Sequence, residues 1–268
     1  TINLSICERC KAPIEPLISK QWFVDVDAPH YSLKQKSIEA LKTGTISFHP
    51  DNMREQMIQW LENLHDWCIS RQLWWGHRIP VWYRDAEVFC GLEAPEGDGW
   101  VQDSDTLDTW FSSGQWPYTT LGYPETADAQ TFYPTDLMVM GRDLLFFWAT
   151  RMILFGFYKT GQAPFKHLYF TGLVRDKDGL KMSKSKGNGV DVLEMIDRFG
   201  ADAVRMSLTL GATPGLDFRL YEEKIETFRN FTNKLWNMGR YVATQSTAAD
   251  TTPTAQSDAD HWILSRTQ

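Results

Sequence analysis

Cysteine is scarce, with four in 268 residues. That argues against a secreted fold stapled by disulfides and points to the cytoplasm. Positive charge is also short. Twenty-seven Lys and Arg stand against 34 Asp and Glu, for a net charge of −7. A polybasic nucleic-acid binder is excluded, so any contact with nucleic acid has to use local patches. Long apolar runs are missing too. The longest, Leu144 to Tyr158, contains Arg151 and is too short to span a bilayer. Thr1-Ile2-Asn3 is neither a start nor the charged region of a signal peptide. The other end stops inside a helix-like pattern, so the chain reads as a piece of something longer.

What is present is a large apolar fraction, 43%, with 12 Trp. That is enough for one large or two modest domains. The rest is organised around Leu180-Lys181-Met182-Ser183-Lys184-Ser185-Lys186-Gly187-Asn188-Gly189. Nothing in it can pack in a core. Lysine ammoniums are mobile point charges suited to phosphate. Serine hydroxyls and freed backbone N–H groups add neutral donors. The stretch reads as a loop that closes on a polyphosphate; the plain alternative is a solvated charged turn. The Walker A glycine spacing is not met. Ser183-x-x-Lys186 fits the serine–lysine pair of penicillin-binding enzymes, but Lys-Thr-Gly occurs only upstream, at Lys42 and Lys159.

Cys7-Glu8-Arg9-Cys10 is half of a tetrahedral zinc site, and Cys68 and Cys90 do not supply the other half. Two reduced structural thiols are the favoured reading. Residues 19–24 predict an extended segment and 31–43 a helix ended by Gly44. Met57, Leu61, Leu64 and Cys68 predict a helix over 51–70, with Asp51 as its N-cap. Trp74-Trp75 before Gly76 suggests a ring lining a cavity beside a close backbone approach. Residues 84–100 read as irregular, 103–114 as a loop and short helix, and 117–134 as a surface excursion. Leu137-Met138-Val139-Met140 predicts a buried strand ending at Gly141-Arg142-Asp143. Residues 144–159 predict a helix buried on most sides, and Leu168-Tyr169-Phe170 a second strand ending at Thr171-Gly172. Strand, helix and strand imply a right-handed parallel crossover. Ligands bind at the carboxyl ends of such strands, where Asp143, Thr171, Gly172 and the lysine loop would gather. Two short helices near 190–198 and 202–210, a long amphipathic helix from Tyr221, a linker over 244–259 and a last helix from His261 follow.

Several blocks coincide, in order, with one family. They are C-x-R-C-x-x-P-I-E-P-L-x-S-K-Q-W-F-V, D-W-C-I-S-R-Q-L-W-W-G-H-R-I-P, D-T-W-F-S-S-G-x-W-P, G-x-D-x-x-F-F-W-x-x-R-M-I, K-M-S-K-S-K-G-N and F-R-N-F-x-N-K-L-W-N. The chain resembles the valyl branch of the class I aminoacyl-tRNA synthetases over nearly its whole length. Isoleucyl and leucyl relatives share the lysine loop but differ at Leu73–His77 and Phe146–Trp148. The alternatives are an isoleucyl fragment, or a non-catalytic tRNA-binding paralogue.

The resemblance implies an α/β fold: the second half of a Rossmann-like catalytic domain with parallel strands, then the start of an α-helical anticodon-binding domain. Residues 1–45 would be the tail of the editing insertion, 46–189 the catalytic half, 190–219 stem-contact helices and 220–268 the start of the anticodon-binding helices. It implies ATP with Mg2+, valine and tRNA(Val) as substrates and partners, no membrane, and a monomer. By resemblance Lys181, Ser183, Lys184 and Ser185 are catalytic. Gly141, Asp143, Gly172, Val174, Met182 and Lys184 bind ATP, with Asp143 accepting from the ribose; the alternative for Asp143 is an N-cap. Trp75, Leu144 and Trp148 wall the valine side chain, the latter two at i and i+4 on one helical face. The alternative there is plain core packing. The family's His-x-Gly-His signature lies upstream of this chain, which alone is expected to be inactive. Thr171 stands where the family commonly has His, and Leu144 where it has Ile.

Overall fold

The computed structural model describes residues 4–7, 10–15, 17–183, 187–245 and 255–267. Two compact units emerge, one of residues 1–173 and 213–217, the other of 174–212 and 218–268.

The first unit begins with β1 (Phe23–Val24), α1 (Leu33–Lys42), β2 (Ser47–His49) and α2 (Asn52–Glu62). The helix predicted over 51–70 therefore stops eight residues early. Its continuation is taken by β3 (Trp67–Cys68) and β4 (Ser70–Arg71). β3 pairs antiparallel with β1, setting Val24 against Trp67, and the ladder wins over helical spacing. Asp51 is not a side-chain cap. Its backbone is already helical, and its carboxylate takes the Arg54 guanidinium at 3.0 Å. Residues 84–100 are less irregular than expected. β5 (Val81–Arg84) pairs antiparallel with β6 (Glu87–Cys90) and with β7 (Val101–Gln102). β8 (Thr106–Leu107) pairs with β4. α3 (Thr109–Ser113) is capped by Asp108, whose carboxylate accepts from Trp110 N–H. The expected surface excursion contains α4 (Trp116–Thr119) and α5 (Ala127–Phe132), and buries Tyr118, Ala129 and Tyr133.

The βαβ crossover is present. β9 (Thr135–Gly141) leads through a 3-10 turn (Arg142–Leu144) and a π turn (Leu145–Ala149) into α6 (Thr150–Thr160), then β10 (Phe165–Thr171). β10 lies between β9 and β2 and is parallel to both. Met138, Met140, Leu168, Phe170 and Phe48 point to a core shared with α1, α2 and α6. On β9, Leu137 and Val139 alternate with those residues and stand 52% and 51% exposed. Purely parallel sheets normally have both faces covered.

α6 joins this core to a second cluster around Trp67, Ile69, Tyr118, Tyr133 and Phe155. Arg151 lies at the junction, 4.3 Å from the Trp67 ring and 5.3 Å from the Trp60 ring. Burial pulls its pKa down to about 10.

The second unit contains β11 (Val174–Arg175), α7 (Val192–Phe199), α8 (Ala201–Thr209), β12 (Phe218–Arg219), α9 (Glu222–Gln245) and α10 (Asp258–Thr267). β11 and β12 are parallel. Asp191 caps α7 by accepting from the N–H groups of Leu193 and Glu194. Gly200 and Gly211 follow α7 and α8 with φ of 88° and 83°, a region open to glycine at no steric cost. Met195, Ala203, Val204, Leu220 and Ile225 form a small core. The linker foreseen over 244–259 lies largely outside the described residues. No helix among the described residues is long and apolar enough to cross a membrane.

Candidate functional site

The carboxyl ends of β9 and β10 lie side by side, with Gly141 opposite Thr171 in register. Asp143 sits inside the 3-10 turn that leaves β9, so it is not the cap that the alternative reading required. Its carboxylate lies over Gly141, where a Cβ would come 2.8 Å from Asp143 Oδ1. Gly172 follows β10. A Cβ there would come 1.7 Å from the Leu216 carbonyl oxygen. The crossing segment is tied down by Gly215 N–H, which donates to the Phe170 carbonyl at 2.7 Å.

Asp217 completes this rim and gave no sequence signal. Its carboxylate accepts from Arg142 Nη2 at 2.9 Å and from Leu173 N–H at 2.9 Å. Arg142 comes from the end of β9 and Leu173 from the end of β10, so one carboxylate ties the two strand ends together. The partners lie 44 and 75 residues from Asp217, out of reach of any local pattern.

The residues proposed for the valine side chain are also in this unit. Leu144 ends the 3-10 turn and Trp148 lies in the π turn, so the α-helical i, i+4 spacing does not describe them. A π turn is wider than an α turn and is a local interruption often found at functional sites. Trp148 donates from Nε1 to the Ser113 carbonyl at 2.9 Å and meets Trp116 edge-on. Both Leu144 and Trp148 pack partly against the main core. Trp75 is 92% exposed, and Trp74 beside it is fully exposed. The tight approach expected at Gly76 is made by the Thr106 side chain, 3.0 Å from where a Cβ would stand.

Asp108 anchors the segment beneath. It is 6% exposed and accepts from Arg71 Nη2 at 2.7 Å and Trp67 Nε1 at 3.2 Å.

The lysine stretch belongs to the second unit. Lys181 forms an antiparallel bridge with Arg175, and Met182 N–H points to the Val174 carbonyl at 3.5 Å. Val174 and Met182 are partly buried against the small core. Lys184 and Ser185 lie outside the described residues. A groove of about 1160 Å3 between α8 and α9 carries Arg205, Arg229 and Arg240 beside Trp236.

Among the described residues no group of three or more His, Cys, Asp or Glu is placed to hold a metal ion, so Cys7 and Cys10 belong to no such group there.

A family model described as "tRNA synthetases class I (I, L, M and V)" matches residues 10–97 and 91–221. The chain is 48% identical to the valine–tRNA ligase of Solibacter usitatus over 99% of its own length and 32% of that protein's. It is 49% identical to the valine–tRNA ligase of Streptomyces coelicolor over 97% of its length and 30% of that protein's. It thus spans about a third of the relatives it matches. Among solved structures, methionyl-tRNA synthetase of Mycobacterium tuberculosis bound by methionyl-adenylate superposes with a TM-score of 0.70 at 20% identity, over 98% of this chain and 48% of that one. That likeness is one of fold, a mixed α/β catalytic fold with a parallel sheet. With a paired parallel crossover and a family match over most of its length, the chain belongs to the class I tRNA synthetases of the I, L, M and V group.

Proposed function

We propose that this chain is the second half of the catalytic core of a valine–tRNA ligase, together with the first helices beyond it. The observation that carries the reading is the 48–49% identity to two valine–tRNA ligases along nearly the whole chain. The half-exposed face of β9 supports the assignment to one half of a sheet, because parallel sheets are ordinarily covered on both sides.

In the reaction a valine carboxylate oxygen attacks the α-phosphorus of ATP. The bond to the β-phosphate oxygen breaks, and pyrophosphate leaves with the developing charge. Catalysis of this kind is positioning and charge stabilisation. Lys181 and Lys184 lie along the leaving phosphates, with Ser183 and Ser185 as neutral donors. Asp143 accepts from the ribose, while Gly141 leaves room for the Asp143 carboxylate and Gly172 for the Leu216 backbone, so that both glycines shape the rim the nucleotide meets. Backbone at Val174 and Met182 holds adenine. Trp75, Leu144 and Trp148 wall the amino-acid side chain. Magnesium, held by the triphosphate, would neutralise phosphate charge. A hard cation's preference for phosphate oxygens supports this. The Arg205, Arg229 and Arg240 groove is the local basic patch that an acidic chain needs for tRNA. The residue blocks 1–45, 46–189, 190–219 and 220–268 keep the roles given to them above.

The test is valine-dependent ATP–pyrophosphate exchange by the full-length protein, with isoleucine and leucine as competitors. Preference for valine is expected. Exchange with isoleucine at equal or better kcat/KM overturns the substrate assignment, and no exchange with any amino acid overturns the enzymatic reading.

A further inference from the structure

The lysine stretch ends in Gly187-Asn188-Gly189. The structure gives Asn188 more to do. Its amide oxygen accepts from Ser183 N–H at 3.0 Å. Its amide nitrogen donates to Asp176 Oδ2 at 2.7 Å and to the Lys181 carbonyl at 3.3 Å. Gly187 has φ 64°, a left-handed turn immediately before the asparagine.

Asp176 is itself built into a tight turn. Its Oδ1 accepts from the N–H groups of Leu180 and Asp178 at 2.8 and 3.1 Å. Gly179 N–H reaches the Asp176 carbonyl at 3.0 Å, and Asp176 N–H donates to the Leu180 carbonyl at 2.9 Å. Arg175 Nη1 and Arg219 Nη1 hold the carbonyls of Gly179 and Lys177. Asn188 thus connects a braced turn to both described residues that flank Met182.

We propose that Asn188, paired with Asp176, is a positioning residue that sets where Lys181-Met182-Ser183 presents its backbone and charge for the activation step. The inference rests on the reading that the lysine stretch serves the ATP phosphates. Geometry favours it over mere turn-making. A turn needs one hydrogen bond, whereas here both amide N–H groups and the amide oxygen are used, one of them on a carboxylate. The Asn188 amide holds the Asp176 carboxyl below the usual carboxylate range, foremost among several hydrogen bonds doing so.

The experiment compares N188A, N188D, D176N/N188D and K184A in the full-length protein, by valine-dependent ATP–pyrophosphate exchange and thermal melting. N188A is expected to lower kcat about tenfold or more, with KM for valine within about twofold and the melting temperature little changed. N188D places a second carboxylate beside Asp176 and is expected to fall at least as far at pH 8. It should regain rate as the pH drops and one carboxyl takes a proton. D176N/N188D reverses donor and acceptor and is expected to recover part of the loss at pH 8, because the carboxylate introduced at position 188 still accepts from Ser183 N–H and takes a donor from position 176, while the Lys181 carbonyl loses its donor. Wild-type kcat in N188A, or a double variant no better than N188D, overturns the proposal. K184A separates the two failures. If it is slow while N188A is normal, only the positioning role falls; if it too is normal, the phosphate reading of the stretch falls.

Discussion

Gly172 and Leu216 approach so closely that a single methyl at residue 172 would stand 1.7 Å from the Leu216 carbonyl oxygen. The obstacle is backbone, held by Gly215 on Phe170 and by Asp217 on Leu173. Gly172→Ala is therefore expected to destabilise the protein by about 3 kcal/mol, the upper range for overpacking. Urea denaturation checks it. A loss under about 1 kcal/mol, the lower end of that range, would mean that the crossing segment yields easily.

Asp108 has four roles: a helix cap, a partner for the Arg71 guanidinium, an acceptor for the Trp67 indole N–H and a negative field at buried Arg151. Asp108→Ala strips the cap and leaves buried donors without an acceptor. The expected cost is about 3–5 kcal/mol, as for a broken buried pair, less what half-exposed Arg71 recovers from water. Asp108→Asn keeps the cap acceptor and should lose less. Equal losses in the two variants would remove the cap from the account and leave the charge, which both variants lack.

Tyr133 is buried, and burial pushes its hydroxyl up to about 12 from 10.0. The unfolded chain loses this proton first. Its contribution is complete below about pH 10 and is lost as pH rises through about 12, on the order of 2 kcal/mol. Denaturation at about pH 8 and about pH 11, on either side of the unfolded value, should show the slope. Tyr133→Phe should reduce it while giving up the bond to Thr160, the remainder coming from Tyr118, whose hydroxyl burial also pushes up. An unchanged slope in the variant would assign alkaline sensitivity elsewhere.

Lys184→Ala in the full-length protein should slow valyl-adenylate formation about a hundredfold or more, the usual loss when one donor at a developing charge is removed. Valine binding should stay put. Stopped-flow or exchange kinetics decide it, and an unaltered rate takes the lysine out of the chemistry.

The parallel crossover was legible because its strands are buried on the core side and stop at glycine, so pattern and punctuation agree. β5, β6 and β7 were not. They are two to four residues long, and every residue of β6 is exposed, leaving no alternation to read. The helix ending at Glu62 misled for the opposite reason. Leu64 and Cys68 continue its spacing although the chain has left the helix before Leu64 and is a strand at Cys68. Sequence placed Gly141, Gly172 and Asp143 at strand ends, and the structure has them there. Asp217 could not be so placed, since what it joins is distant in sequence. Asn188 was visible as a letter beside two glycines, but its bonds to Ser183 and Asp176 depend on a fold-back that spacing alone does not describe.

The placement of β2 beside β10 has a consequence for synthesis. Residues 49 and 167, neighbours across that ladder, are 118 positions apart. At roughly 5–20 residues per second, a ribosome needs on the order of ten seconds to cover the interval. Throughout that time β10, the partner of Ser47–His49 among the described residues, does not yet exist, and α1 and α2 are the elements at hand to cover Ile46 and Phe48.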